Sequence, residues 1–456
     1  MSHVQPMIPR VLGLDEDRQA LVQKLATALH EKAHRNELRR SYYDMHNTLK
    51  DLGISVPPTM KSVEVVAGWP AKGVDSMSLR TILDGWTATD GSSELVSVAN
   101  RIAEDNRLAS EIPAAHTSAL VHSCAFSFVS QGDIASGEPD VIFSTASAER
   151  ASGIWDPRRR ALSSALHVVD ADTQGRITEM VLYRPNETTH MRRDGEVWDI
   201  RTTPHSFGMP VELVPHKPSL DRPFGRSRIT RAVMYLTDSA VRTMLRTEVG
   251  AEFYNAPQRY ALGVDDGTFE DKDGNPVPAW SVMLGRLLTL SRDEDGNMPQ
   301  VGQFAQQTMQ PNLDQLRSIA QMFSSETNIP VGSLGIVQDN PQSAEAIRTA
   351  YEPLGIEIEH WRRTTLAPAW ERQMRRAVAM TDASTSVMLA ARGLRAHWGE
   401  WSTPSELSRA QASLARIQAI PALASSDVEL SRLYSPDEVA SVKAHLQSAN
   451  PPLPAA

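Results

Sequence analysis

Aspartates in two short acidic segments have the clearest potential for metal chemistry. The segments are DKDGN at residues 271–275 and DEDGN at residues 293–297. Aspartates at alternating positions before a glycine resemble the front of a calcium-binding loop, which also needs a bidentate carboxylate at its end. With Gly274 as the sixth position, the first and twelfth positions fall on Phe269 and Trp280, and the second segment fails in the same way. Tight-turn chemistry therefore explains Asp-Gly-Asn without a metal.

The same region contains the only carboxylates that could form the divalent-metal site of a nuclease. A nuclease that uses divalent metals needs carboxylates gathered in one place. The only plausible set consists of Asp265 and Asp266 together with Asp293 and Asp295. A metal-dependent DNA-processing enzyme is therefore an alternative function, which metal-dependent DNA cleavage by the purified chain would favour.

Motifs of other enzyme classes are absent from the sequence. No G-x-x-x-x-G-K-[ST] occurs, so the phosphate-binding loop and the lysine of a P-loop ATPase are both missing. H-E-x-x-H and G-x-S-x-G are missing as well. Cys124 is the only cysteine, which excludes an intrachain disulfide, and its apolar neighbours predict a core position. We predict no catalytic residue, no cofactor and no bound metal.

The composition is that of a folded protein without strong affinity for nucleic acid. Of the 456 residues, 41% are hydrophobic and 22% are charged, which argues against disorder, and the length favours more than one domain. The net charge of -9 disfavours a protein that gains affinity by neutralising phosphates. No uninterrupted apolar run of about 18 residues occurs, which predicts no membrane segment and synthesis in the cytoplasm.

The N-terminal half is predicted to contain helices followed by a β region. Leu21, Leu25 and Leu29 indicate an amphipathic helix over residues 14–50 with a cap near Asp15. Further patterns predict a strand-like VEVVAGWP and helices near Val74–Leu83, Glu94–Arg107 and Ala114–His122. Between residues 139 and 216, short β-branched and aromatic runs predict a meander packed on helices: PDVIFST, ALHVVDA, GRITEMVLY and GEVWDI.

A proline-free segment at residues 227–254 predicts one long helix. Its apolar residues recur at helical steps: Ile229, Val233, Leu236, Ala240 and Met244. The opposite face carries mainly charged residues: Arg228, Arg231, Tyr235, Asp238, Arg242 and Arg246. This face is either solvated or packed against a neighbouring subunit.

The sequence then changes character abruptly. Residues 256–308 alternate strand-like runs with the two acidic turns, which predicts a small β insertion. Four basic residues there oppose eight acidic ones, a net charge of -4. Helical spacing returns at residues 311–327, and a loop rich in proline, glycine and asparagine follows at residues 328–342.

A second long helix is predicted after this loop. Ser343 can cap it, and Glu345 in its first turn complements the helix dipole. One apolar stripe follows: Ile347, Tyr351, Leu354, Ile358, Trp361, Leu366, Trp370, Met374 and Ala377. Pro353 and Pro368 lie inside it and predict a bent helix. Residues 384–449 predict shorter helices.

This order of elements, together with several short segments, resembles the portal proteins of long-tailed bacteriophages, especially those that infect actinobacteria. YYDMHNTLKDLGISVPP is similar to the family's opening segment, and VEVVAGWPAKGVDSMSLR to the tryptophan-containing helix start that follows. RPFGRSRIT resembles the family's Gly-x-Ser turn into the first long helix. ETNIPVGSLGIVQDNPQSAEAIR resembles its most recognisable loop and helix start. The resemblance covers residues 35–385.

The resemblance implies an α+β, mainly helical, elongated portal-type subunit with wing, stem, clip and crown regions. The implied regions are an N-terminal wing (1–226), a stem helix (227–255), a clip (256–308), a second stem helix (309–327), a tunnel loop (328–343), a long bent wing helix (344–383) and a helical crown (384–456).

The implied function is a ring at the capsid vertex through which double-stranded DNA is packaged and ejected. Expected partners are about twelve copies of the chain, the large terminase subunit, head-tail connector or adaptor proteins, the major capsid and scaffold proteins, and DNA that is not bound sequence-specifically. The expected location is the virion, with synthesis in the host cytoplasm and no membrane contact. A different capsid or neck ring component stays an alternative.

Three sets of residues are expected to carry this function. The DNA-channel loop would present Gln338, Asp339, Asn340 and Gln342. The clip would face the motor and the connector with Asp271, Asp273, Asp293, Glu294 and Asp295. Because apolar stripes of such length exceed what one chain can cover, neighbouring copies would cover Ile229, Val233, Leu236, Met244, Trp361 and Trp370.

Overall fold

The computed structural model describes residues 10–49, 64–89, 91–255, 259–262, 298, 300–303, 308–336, 343–382, 384–402, 406–430, 439, 441, 442 and 445. The chain forms two compact units, Met1–Gly399 and Glu400–Ala456.

Helix α1 (Glu16–Tyr43) confirms the first predicted helix. Asp15 caps it, because its Oδ1 accepts the backbone N–H of Arg18 at 3.0 Å. Val22, Leu25 and Leu29 are buried, as the leucine spacing predicts. The helix ends at Tyr43, earlier than the predicted residue 50.

Three helices and one strand follow α1, and two of the predictions here are wrong. The elements are α2 (Trp69–Ser78), β1 (Leu83–Ala88), α3 (Ser93–Asp105) and α4 (Leu108–His122). Residues 64–68 form no strand, and the helix expected to reach Leu83 ends at Ser78. Pro70 sits in the first turn of α2, where a missing N–H costs nothing, so the helix begins inside the segment that looked like a strand.

Two antiparallel sheets form the predicted β region. A three-stranded sheet has the order β3-β2-β9, and a five-stranded meander has the order β4-β5-β6-β7-β8. The strands are β2 (Cys124–Gln131), β3 (Val141–Ser147), β4 (Ala151–Asp156), β5 (Ala161–Ala171), β6 (Ile177–Arg184), β7 (Glu187–Asp194), β8 (Val197–Pro204) and β9 (Val211–Pro215).

The meander has a core on each face because side chains alternate along its strands. Leu166 and Leu182 point to one face and pack with Leu25 of α1. Ala165 and Val181 point to the other face and pack with residues of the three-stranded sheet, among them Phe126 and Leu213. Helix α1, the meander and the smaller sheet thus form successive layers.

The second half of the larger unit contains the long helices. They are α5 (Arg231–Asn255), α6 (Gln310–Thr327), α7 (Ala344–Trp361) and α8 (Ala367–Thr381). Helices α5 and α6 pack against each other. The chain between them begins and ends in the antiparallel strands β10 (Arg259–Leu262) and β11 (Gln300–Gln303). The described part of the predicted insertion therefore is β structure.

The predicted long helix is interrupted between its prolines. A π turn at Arg362–Leu366 separates α7 from α8, and Pro353 lies within α7. Ser343 caps α7 as predicted, since its Oγ accepts the N–H of Ala346 at 3.1 Å. Ile347, assigned to the buried stripe, is 46% exposed.

The two compact units divide after Gly399, beyond the boundary expected at residue 384. After α9 (Thr385–Ala390), strand β12 (Leu394–Trp398) pairs antiparallel with β1, with Trp86 opposite Ala396. Because this pairing joins residues distant in sequence, the chain up to Gly399 belongs to the larger unit. The smaller unit contains α10 (Glu406–Ala419) and α11 (Asp427–Leu430), between which Arg416 and Glu429 form an ion pair.

Candidate functional site at the helix junction

A group of polar residues around the buried His216 and Arg228 joins the long helices to the sheets. We call Lys217, His216, Arg228, Asn328 and Glu357 the helix junction. His216 and Lys217 follow β9, Arg228 precedes α5, Asn328 follows α6, and Glu357 lies in α7. The residues of the helix junction therefore come from the ends of β9, α5 and α6 and from within α7.

The turn before α5 requires the Gly-x-Ser sequence found there. Gly225 has a φ of +72°, and a Cβ at this position would lie 2.2 Å from the carbonyl oxygen of His216, so only glycine fits. Ser227 Oγ donates to the carbonyl oxygen of Val121 at 2.6 Å and accepts the N–H of Ile229 at 3.0 Å. This turn holds Arg228 in place.

Arg228 and Glu357 form the centre of the junction. Arg228 Nη1 lies 2.7 Å from Glu357 Oε1, Nε donates to the Gly73 carbonyl oxygen at 2.8 Å, and Nη2 donates to the Thr327 carbonyl oxygen. Lys217 Nζ lies 2.7 Å from the same Glu357 oxygen. One guanidinium therefore connects α2, the end of α6 and α7.

The second carboxylate oxygen of Glu357 is also occupied. Asn328 Nδ2 donates to Oε2 at 3.1 Å from a left-handed backbone conformation (φ 55°) that ends α6. Burial alone would raise the pKa of Glu357, but Arg228, Lys217 and Asn328 together lower it to about 2. The carboxylate is charged at neutral pH.

His216 is the neutral member of the junction. Desolvation lowers its pKa to about 3, opposed mainly by the hydrogen bond to Arg226. Its Nδ1 carries the proton that is donated to the Arg226 carbonyl oxygen at 2.8 Å. Because the ring is neutral, the 4.0 Å distance from Nε2 to Glu357 Oε1 is not an ion pair.

A second buried histidine joins the aromatic residues of α7, α8 and β12. His116 Nε2 accepts Trp370 Nε1–H at 2.9 Å, so its Nδ1 carries the proton facing Thr81 Oγ1 at 3.0 Å. Trp361 and Trp398 lie with their ring centres within 5.9 Å of the His116 ring. Desolvation lowers the pKa of His116 to about 3.

The residues expected to pack against neighbouring subunits are mostly core residues of the single chain. Ile229, Val233, Leu236, Trp361 and Trp370 are only 1, 2, 6, 4 and 0% exposed, and Met244 is half-buried. The expectation fails because α5 and α6 cover each other, and because the sheets and His116 cover the tryptophans. Trp361 Nε1 also donates to the Pro215 carbonyl oxygen at 2.8 Å.

Two residues of the supposedly polar face of α5 also have internal partners. Arg228 belongs to the helix junction, and Asp238 accepts the Tyr42 hydroxyl at 2.9 Å. Tyr235, on the same face, is 65% exposed. Part of this face of α5 is therefore packed within the chain, and part of it is exposed to solvent.

The predicted DNA-channel and clip residues lie outside the described residues. This applies to Gln338, Asp339, Asn340 and Gln342, and to Asp271, Asp273, Asp293, Glu294 and Asp295. Within the part of the chain that the structure describes, no group of three or more histidine, cysteine, aspartate or glutamate side chains could hold a metal ion. No helix in that part is long and apolar enough to cross a membrane.

Comparison with known proteins identifies the class of protein. The family described as "Phage portal protein, SPP1 Gp6-like" matches residues 23–398, so the chain belongs to this family of phage portal proteins. The portal protein of Mycobacterium phage L5 is 27% identical over 404 residues, 87% of this chain and 82% of that protein. The portal protein of Mycobacterium phage D29 is 28% identical over 379 residues, 82% of this chain and 77% of that protein.

Two solved structures have lower similarity. They are the neck of an empty GTA particle, computed with C6 symmetry, at 12% identity and a TM-score of 0.40, and the neck of a native GTA particle, computed with C12 symmetry, at 13% and 0.41. The alignments cover 82 and 81% of this chain and 89 and 90% of the other chains.

The family assignment confirms the resemblance found in the sequence. It also favours the portal interpretation over the metal-dependent nuclease. The residues that sequence reasoning missed are Arg228 and Glu357. A signal for Glu357 was present, because it lies on the apolar face between Leu354 and Trp361, where a carboxylate needs a buried partner.

Proposed function

We propose that this chain is a non-enzymatic portal subunit whose copies form the ring at the capsid vertex through which double-stranded DNA enters and leaves. The observation that carries the proposal is the portal family match over residues 23–398. The described elements support it: two packed helices flank an insertion, and a loop and a long interrupted helix follow. The ring would lie in the virion and contain about twelve copies.

The proposed regions follow this order of elements. Helices α5 and α6 would be the stem, residues 256–308 the clip, residues 328–343 the tunnel loop, and α7 with α8 the wing helix. The crown would begin at residue 400, because β12 is part of the larger unit. DNA would pass the tunnel loop without sequence-specific contacts.

Neighbouring copies would pack on side chains that the single chain leaves exposed. Tyr235 on α5, Met322 on α6 and Ile356 on α7 are 65, 52 and 66% exposed. Residues 345–350, the first turns of α7, are exposed on every side. Such a helix start gains stability mainly from tertiary contacts, which a neighbouring copy would supply.

The clip would bind the large terminase subunit during packaging and the connector proteins afterwards, while the wing and crown would face the capsid and scaffold proteins. The net charge of -4 on residues 256–308 makes binding at the clip dependent on salt. Replacement of Asp293, Glu294 and Asp295 by Asn, Gln and Asn should weaken both interactions. Unchanged motor docking and neck assembly would refute the clip assignment.

Electron microscopy of the purified protein tests the function directly. Rings with an open central hole are expected, and Tyr235→Ser should reduce the fraction of chains in rings. Arg101→Ser, a change of an exposed residue on α3, serves as the control. A chain that stays monomeric at every concentration and cleaves DNA with a divalent metal would overturn the proposal in favour of the nuclease.

A further inference from the structure

A cavity of about 510 Å³ lies beside α1 and borders the turn at residues 225–227, which adjoins the helix junction. Its walls come from α1, the start of β2 and the loop after β9. The charged residues around it are Lys32, Arg35, Arg39, Arg222, Arg226 and Asp221, five cations and one carboxylate. We call this set the basic cavity.

The cations of the basic cavity are not neutralised by the described part of the chain. None of the five forms an ion pair there. Arg39 Nη1 donates to the His122 carbonyl oxygen at 3.2 Å, and Lys32 Nζ lies 4.8 Å from the centre of the Phe224 ring.

Three other arginines of the same unit with limited solvent access have carboxylate partners, whereas the buried Arg362 bonds to backbone carbonyl oxygens. Arg228 pairs with Glu357, Arg376 with Glu212, and Arg375 with Glu371. Glu149 pairs with Arg40 at 2.9 Å and lies 3.6 Å from Nε2 of His122 at the cavity wall, but neither Glu149 nor Arg40 lines the cavity. The excess of cations is therefore a local property of the basic cavity.

The cavity contains no other group that would supply a negative charge. Cys124 lies at its wall, and burial raises the pKa of its thiol to about 11 although Lys32, Arg35 and Arg39 act to lower it. The thiol is therefore neutral at physiological pH. Burial, followed by repulsion from Arg35, lowers the pKa of Arg39 to about 10, so an anion nearby would relieve an unfavourable clustering of charge.

We propose that the basic cavity binds a compact multivalent anion of the phosphate type. Guanidinium groups match phosphate oxygens with paired hydrogen bonds, and Ser123 at the wall adds a hydroxyl group. The volume is that of a small-molecule site. A bulky duplex would reach only the exposed Arg35, Arg222 and Arg226, whereas a di- or triphosphate would reach the half-buried Arg39 as well.

Isothermal titration of the full-length protein with sodium tripolyphosphate, at an ionic strength held constant with sodium chloride, tests the proposal. Arg35 and Arg222 are both exposed and make no described side-chain hydrogen bond, so the variant R35Q/R222Q keeps the fold. The control R101Q/R158Q removes the same charge from exposed arginines outside the cavity. The variant R39Q tests the contribution of the half-buried Arg39 to anion binding.

We expect one saturable site per chain in the wild type and the control, weakened by about tenfold or more in R35Q/R222Q because two charged hydrogen-bond donors are lost. R39Q should weaken tripolyphosphate binding as well.

Competition with a short DNA duplex then identifies the source of the phosphate. Displacement of tripolyphosphate indicates backbone phosphates, and no displacement indicates a free polyphosphate. The absence of a saturable site, or equal weakening in the control, overturns the proposal.

Discussion

The buried titratable residues of this chain are each held in one charge state by their neighbours. Glu357 stays ionised because Arg228, Lys217 and Asn328 occupy both of its oxygens. His116 stays neutral because burial disfavours its charged form, and the Trp370 N–H that points at Nε2 leaves no room for a second proton. These residues fix the positions of the elements that carry them, so their loss should affect stability first.

Replacing Glu357 by Gln should lower the free energy of unfolding of the larger unit by about 3–5 kcal/mol, because Arg228 is left buried without its counter-charge. Glu359→Gln is the matched control on the same helix. Its exposed pair with Arg363 should contribute less than about 1 kcal/mol. Chemical denaturation followed by tryptophan fluorescence measures both, and equal losses would contradict the importance of the junction.

Stability should fall as the pH drops below about 6.5. Desolvation lowers the pKa values of His116, His122 and His216 to about 3 and that of His167 to about 4. At a pH between the folded and the unfolded pKa values of a histidine, the unfolded chain binds more protons than the folded chain. Lowering the pH therefore favours unfolding. Each histidine contributes about 1.4 kcal/mol per pH unit.

Denaturation curves measured between pH 6 and pH 4.5 give the total slope, about 5 kcal/mol per pH unit for the four histidines. His116→Gln should reduce this slope by about a quarter. It should also lower stability at pH 7, because the bond with Trp370 changes. A slope that His116→Gln leaves unchanged would show that the ring is protonated in the folded chain.

At the level of elements, the π turn at Arg362–Leu366 sets how α8 follows α7. A π turn adds one residue to a helix, which rotates everything after it relative to what precedes it. Leu354 and Ile358 before the turn and Trp370 and Met374 after it are all buried. Arg362, inside the turn, donates to the carbonyl oxygens of Arg80 and Gly399.

Deletion of Thr364 should convert the π turn to regular helix and turn α8 by about 100° relative to α7. Trp370 and Met374 would then leave the core, and the thermal midpoint should fall by well over 10 °C or the chain should aggregate. Thr364→Ala is the control, because the exposed hydroxyl bonds only within the helix, to the His360 carbonyl oxygen and to Thr365 Oγ1. A deletion variant as stable as the wild type would contradict this role.

At the level of the whole molecule, the larger unit is closed by residues far apart in the sequence. Strand β1 pairs with β12, and Arg362 donates to the carbonyl oxygen of Gly399 at 2.7 Å. All of these contacts lie within Met1–Gly399. The smaller unit, Glu400–Ala456, has its own internal ion pair between Arg416 and Glu429.

A chain that ends after Gly399 should keep the thermal midpoint of the larger unit. A chain that ends after residue 383 should unfold at a clearly lower temperature, because β1 loses its partner strand and Trp398 leaves the side of His116. Differential scanning calorimetry of the two truncations makes the comparison. Equal midpoints would place the boundary at residue 384 after all.

The sequence by itself determined the class of protein and most of the local structure. Leucine spacing and Asp15 predicted α1, turn signals and β-branched runs predicted four strands of the two sheets, and Ser343 marked the start of α7. Strand β2 was missed because periodicity within one short run does not distinguish a buried strand from other apolar segments, and β7 was missed because its sequence ETTHMRRD is mostly polar. Strands β4 and β9 were missed as well. The ordered set of motifs predicted the family correctly.

Tertiary structure alone decided which apolar and charged residues are internal. The stripes of α5, α7 and α8 suggested packing between copies, but the chain covers most of them itself. Periodicity shows that one face of a helix must be buried, and it does not show what buries it. The same limit hid the pairing of Arg228 with Glu357, because these two residues are far apart in the sequence and meet only in the folded chain.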